Sequence, residues 1–342
     1  MKGSEMDKFE RVSAALWGNP VDPPPLSLWR HFHQRDRDPA TLAEATAALA
    51  QRYDLDLIKL TPSGLYAVED WGAEIVYPVE QDPSSPDTAT QAPYLARPAV
   101  AEPGDWRTLR QRGTAALDRE LQAIRLTRER LGPDWPMVMT IFSPLTLAYK
   151  LAGDNLGQHL QSDPEALHVG LRILTAVTTA FAHAALAAGA DGLFFASQWM
   201  SGRFCTREQY ETFGLTYDLE ILESAGPLSR VTILHLHGVD VFFDLADAYP
   251  VDALSWHDRE TPPSLAEARE LTGLAFITGL DRDLLRSGPT QAIIAQAHDA
   301  IAQTAGQSLI LAPACVIPPD TPEIHLRAIA EEMGRDMGAA RG

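Results

Sequence analysis

The chain has 342 residues, 45% of them hydrophobic and 22% charged, with a formal net charge of −18. That charge excludes nucleic acid and anionic membrane as main partners, because both are held by basic faces, and favours a small-molecule or protein partner. Two cysteines make no disulfide framework, the opening residues lack an apolar signal core, and no uninterrupted apolar run approaches membrane-spanning length, so a reducing, cytoplasmic setting is expected.

In chain order, a first short apolar run, Leu26–Trp29, follows three consecutive prolines, and the helical pattern of Pro39–Tyr53 leads to a second run, Leu55–Leu60. Residues 64–106 break the rhythm: Pro78, Pro83, Pro86, Pro93, Pro98 and Pro103 punctuate them. So long an irregular stretch either lids a site or crosses the rim as a β-hairpin. The alternation then resumes with helix Thr114–Leu131, strand Met137–Phe142, a helical segment Pro164–Ala188 long enough for one helix or two, and strand Gly192–Ser197. Helix Thr206–Ala225 precedes strands Val231–His237 and Asp252–His257; helix Ser264–Thr272, strand Ala275–Leu280, helix Thr290–Ala305, strand Ser308–Pro313 and helix Pro322–Met337 complete the series. Eight strands alternating with helices predict an α/β chain forming a single (β/α)₈ TIM-type barrel over residues 1–342, with the excursion at about 64–106.

Such barrels build their active sites from the C-terminal ends of the strands, and the reactive side chains gather there. Arg30, His31 and His33 follow the first run and Lys59 nearly ends the second; Phe142 ends the third, and Ser197 and Trp199 mark the end of the fourth. His235 and His237 end the fifth, His257 and Asp258 the sixth, Asp281 the seventh, and Cys315 lies just past the eighth. Because alternate residues of a strand face the same way, His235 and His237 project together. With Cys315 they make a zinc-type donor set that leaves one position free; the competing reading is a polar pocket with a small buried thiol. His257 is a further ligand, a general base or an orienting group, with Asp258 as its expected carboxylate partner. Arg30 suits a substrate carboxylate or phosphate, or else a surface ion pair. Lys59 and Tyr66 are weaker candidates, readable equally as structural, Trp71 and Tyr149 suit an aromatic pocket or the core, and Cys205 is read as structural.

Taken together, these segments resemble the uroporphyrinogen decarboxylase superfamily over nearly the whole chain. The resemblance rests on RVSAALWGNPVDPPPLSLWR, DLDLIKLTPSGLYAVEDWGAEI, FSPLTLAYKLAG, ADGLFFASQW, ITGLDRDLLRSGP and LAPACVIPPDTPEIHLRAI, six blocks in the family's order. It departs from the decarboxylases themselves. Arg30 matches the first of two family arginines, but Gln34 stands at the second. Ser63 falls where the catalytic aspartate belongs, Ala314 lies near the late histidine's position, and Ser197 is kept. The catalytic tyrosine's counterpart is Lys150 without a gap and Tyr149 with one.

The zinc-dependent methyltransferase branch is more similar at the site. Its late Cys block is matched by Ala312 to Pro322 around Cys315, and its His-x-Cys-Gly segment by His235-Leu236-His237-Gly238, an imidazole replacing a thiolate. This resemblance implies zinc on His235, His237 and Cys315, methyl transfer to a small thiol or hydroxyl acceptor, a corrinoid carried by a partner protein as donor, and a homodimer. His257, Arg30 and Ser197 would then orient substrate or move protons, while His31, His33, Lys59, Tyr66, Phe142, Tyr149 and Trp199 would bind it. A metal-independent decarboxylase and a non-catalytic ligand-binding barrel are the competing functions, since fold alone does not guarantee chemistry.

Overall fold

The computed structural model describes residues 6–78 and 91–335; the stretch 79–90, including the expected excursion's Pro83 and Pro86, lies outside them. Seven strands form one parallel sheet: β1 (Ile58–Leu60), β4 (Met137–Phe142), β5 (Gly192–Ser197), β6 (Val231–Leu236), β7 (Ala253–Trp256), β8 (Ala275–Leu280) and β9 (Leu309–Pro313), neighbours in that order. β2 (Glu74–Val76) and β3 (Tyr94–Arg97) pair antiparallel as a separate hairpin. Every residue of the seven parallel strands is buried, as strands covered on both faces must be.

The expected first strand differs from its prediction. Leu26–Trp29 occupies the place between β9 and β1 and closes the curled sheet, yet it is held by isolated bridges rather than a ladder. Leu26 pairs parallel with Leu311, the Ser27 amide donates to Leu311 O, and the Asp56 amide donates to Leu26 O. The cause is local: Pro23, Pro24 and Pro25 have no N–H to donate, so a continuous ladder cannot start there. The second strand is likewise shorter than expected, beginning at Ile58 beyond Asp54, whose φ is +44°.

The helices start where side chains satisfy their free amides. Asp38 caps Pro39–Arg52, Ser143 caps Pro144–Ala152, and Ser264 with Glu267 forms a capping box on Leu265–Leu271. The segment from 164 is one helix, Pro164–Ala187, whose buried face packs on the helices Pro144–Ala152 and Thr216–Ala225. By length and composition this helix alone, among the described residues, is apolar enough to cross a membrane, although no uninterrupted apolar run that long was expected; 44% of its most apolar window is buried inside the molecule. The expected helix Thr206–Ala225 is interrupted by a π-type turn over Glu211–Leu215. The irregular region is a hairpin flanked by 3₁₀ turns at Tyr66–Trp71 and Pro103–Thr108.

Candidate active site and metal centre

Register positions the site. Across β5, β6 and β7 the residues Ala196, His235 and Ser255 stand side by side, which places Ser255 Oγ 3.1 Å from His235 Nδ1. His237 lies one residue past β6, where its amide donates to Ser197 O, and Gly238 then turns the chain with φ +85°. His257 follows β7, and Cys315 lies two residues past β9, where the Ala314 amide donates to Leu280 O.

These four side chains converge. One ligand atom from each of His235, His237, His257 and Cys315 lies within 4.8 Å of all the others. The imidazole centroids are 5.8 Å (His235–His237), 5.9 Å (His235–His257) and 5.1 Å (His237–His257) apart, and Cys315 Sγ lies 3.7 Å from His237 Nδ1. Burial by itself raises the Cys315 thiol, but His237, then His235 and His257, outweigh it and hold the thiol well below its ordinary value. Burial also pushes His235 down to about 4, so it is neutral and able to ligate. For His257 burial lowers the pKa, while Cys315 and Glu260 pull it up and prevail. Its Nδ1 faces Glu260 Oε1 at 3.0 Å, and its buried Nε2 has no hydrogen-bond partner. Glu260, not the expected Asp258, is therefore the carboxylate behind His257; Asp258 accepts from Thr278 Oγ1 and the Gly279 amide instead.

A cavity of about 400 Å³ opens beside this cluster, lined by His31, His33, Lys59, Phe142, His235, His237 and Cys315 among others. Its described lining holds Lys59, Lys150 and Arg282 but no aspartate or glutamate, in a chain whose net charge is −18. Burial pushes Lys59 down to about 7 and Lys150 down to about 8. Lys59 Nζ sits 4.5 Å from the Phe194 ring centroid and 3.3 Å from Thr61 Oγ1; Lys150 Nζ lies 4.5 Å from the Phe142 ring centroid. The excursion contributes Gly64, Leu65, Ala92 and Pro93 to the wall of the cavity.

Other expected site residues lie elsewhere. Arg30 turns away from the cavity and donates to Pro319 O, fastening the loop after Cys315. Ser197 is fully buried and shares a hydrogen bond of 2.8 Å with Tyr210 OH. Trp199 and Tyr149 form an aromatic group with the half-exposed Phe204. Tyr66 donates to Thr140 O at 2.8 Å and borders a separate small cavity. Arg30, Ser197 and Trp199 sit near strand ends, and Tyr66 and Tyr149 on a 3₁₀ turn and a helix beyond them, but these side chains meet partners outside the barrel mouth, and strand periodicity does not report that. Cys205 packs 3.4 Å from Trp199 O, with burial pushing it up to about 12, as a structural thiol. Asp281 caps the helix Arg282–Ser287. Sequence reasoning named Lys150 only as the ungapped counterpart of the family's tyrosine, and it missed Glu260. Lys150 lies on a helix rather than at a strand end, and only the His-x-x-Glu spacing hinted at Glu260.

The barrel gathers a buried thiol and three imidazoles at its C-terminal mouth, the face where barrel enzymes carry their active sites. More particularly, the family model described as uroporphyrinogen decarboxylase (URO-D) matches residues 7–335, and the chain belongs to that family. It is 26% identical over 349 residues to the methylcobamide:CoM methyltransferase MtaA of Methanosarcina barkeri, covering 95% of this chain and 97% of that one. It is 25% identical over 313 residues to the uroporphyrinogen decarboxylase of Idiomarina loihiensis, covering 83% and 84%. A solved methyltransferase from Methanosarcina mazei shares the fold, with a TM-score of 0.78 at 24% identity, covering 96% of this chain and 99% of that one.

Proposed function

We propose that this chain is a zinc-assisted methyltransferase acting on a small thiol or hydroxyl acceptor, with a methylcorrinoid carried by a partner protein as donor. The observation that carries this reading is the convergence of His235, His237, His257 and Cys315 on one another, the first two and Cys315 lining the cavity. The donor set fits zinc: a depressed thiol, a His235 imidazole kept neutral by burial, and Ser255 and Glu260 behind His235 and His257, as ligating imidazoles require. Zinc held by His235, His237 and Cys315 would lower the pKa of the acceptor's thiol or hydroxyl so that it is anionic at neutral pH. His257, oriented through Nδ1 by Glu260 and lying beside Cys315, takes the acceptor's proton. Lys59 and Lys150 bind an anionic group elsewhere on the acceptor, which the absence of carboxylates among the described lining residues favours. The excursion excludes water from the reacting atoms. The similarity to MtaA, named for methylcobamide and CoM, supports the donor and a thiol acceptor. A reduced Cys315 fits the cytoplasmic setting.

The test is metal analysis of protein purified under reducing conditions, followed by methyl transfer from methylcobalamin to thiols of differing charge. One zinc per chain and turnover that favours anionic thiols are expected; protein without zinc would overturn the reading. The cationic cavity also suits a metal-independent decarboxylase, which predicts unchanged activity in Cys315→Ser.

A further inference from the structure

We propose that His31, His33 and Asp36 form a second site for a divalent transition-metal ion on the same cavity, separate from the thiolate cluster. One donor atom from each of the three lies within 4.8 Å of the others. Two imidazoles and one carboxylate are a donor set for zinc, iron(II) or cobalt(II) that leaves positions open to a ligand. This inference goes beyond the methyltransferase reading and does not depend on it.

The local backbone builds the triad from six consecutive residues. The Arg35 and Asp36 amides both donate to Phe32 O, at 2.6 and 2.8 Å, and this tight turn brings Asp36 back against His33. The two imidazoles are stacked, centroids 5.1 Å apart with 22° between planes. His33 Nδ1 and Asp36 Oδ2 are 3.8 Å apart, too long for a hydrogen bond. An ion about 2.1 Å from each donor would set them roughly 3–3.5 Å apart, within reach of small side-chain rotations.

A second, independent observation points to a ligand. Asp36 is 1% exposed, and its carboxylate oxygens meet no hydrogen-bond donor within 3.5 Å, the ionisable group facing them being His33 Nδ1 at 3.8 Å; the buried Nδ1 atoms of His31 and His33 lack a hydrogen bond as well. A buried carboxylate left this way is costly, and native structures almost always satisfy such groups. The neighbouring guanidinium does not do so, because Arg119 is committed to Glu69 through bonds of 2.8 and 2.9 Å and to Glu120 at 2.9 Å. Both histidines also line the cavity, so a ligand there can complete the coordination.

The experiment strips the full chain with a chelator and titrates it with cobalt(II), reading bound equivalents and the near-ultraviolet thiolate-to-cobalt absorbance. Wild type should bind two ions, only one of which produces that absorbance. His33→Ala and Asp36→Asn should each bind one ion and keep the absorbance, while Cys315→Ser should lose the absorbance and keep the triad's ion. A single wild-type equivalent carrying the absorbance, no binding, or two equivalents retained in both triad variants would overturn the proposal. A single equivalent without the absorbance that His33→Ala abolishes supports this site and removes the zinc reading instead. If the variants prove insoluble, the wild type decides: paramagnetically shifted His31 and His33 signals are expected, and their absence overturns the site.

Discussion

Two buried polar clusters stand near the strand ends of this barrel, and they differ in where their bonds go. Around β5, Ser197, Tyr210, Tyr249 and Asp218 hydrogen-bond to one another at 2.7–2.9 Å, with Asp218 Oδ2 accepting from both tyrosines. None of these residues lines the main cavity. Around β6, β7 and β9, His235, His237, His257 and Cys315 point at one another's ligand atoms, and His257 Nε2 remains unbonded. In the first cluster only Asp218 Oδ1 lacks a partner; hydroxyls spent on one another give rigidity, whereas ligand atoms gathered beside a cavity are arranged for something that binds there.

The largest effect should come from Cys315→Ser, which would remove the thiolate and its zinc and lower methyl-transfer kcat/KM by on the order of 10³-fold. Retained zinc and near-normal turnover would erase the distinction between the two clusters. His257→Gln is expected to keep zinc while kcat falls about 10²-fold; loss of zinc in that variant would make His257 a ligand rather than a base. Lys59→Met should raise KM for an anionic thiol by about tenfold, the value of one charged hydrogen bond, and leave kcat nearly unchanged.

The same lysine predicts a pH dependence. Only the protonated amine attracts an anion, and burial has lowered Lys59 to about 7 and Lys150 to about 8. In the free enzyme kcat/KM for an anionic acceptor should therefore fall as pH rises through 7 to 8, and Lys59→Arg should shift that fall upward. An unchanged profile in the arginine variant would remove Lys59 from substrate binding. The smallest functional effect belongs to the closed cluster. Tyr249→Phe should cost about 1–3 kcal/mol of stability in denaturant titration, by leaving Asp218 under-bonded, with kcat and KM unaltered. A changed KM there would mean the closed network reaches the substrate after all.

Much of this protein was legible in its residues. The alternation of apolar runs with helical patterns determined the parallel barrel, because strands buried on both faces and helices with one buried stripe leave different periodicities. His235, His237, His257 and Cys315 could be placed at the mouth for the same reason: strand ends and the period of two are local properties of the chain. What the sequence could not supply was partner choice across the sheet. Ser255 stands behind His235 because of strand register, Ser197 is buried against Tyr210, and Arg30 reaches Pro319, 289 residues away in the chain. Whether a polar side chain faces the cavity or bonds within the wall depends on packing between elements distant in the sequence, and only the tertiary structure decides it.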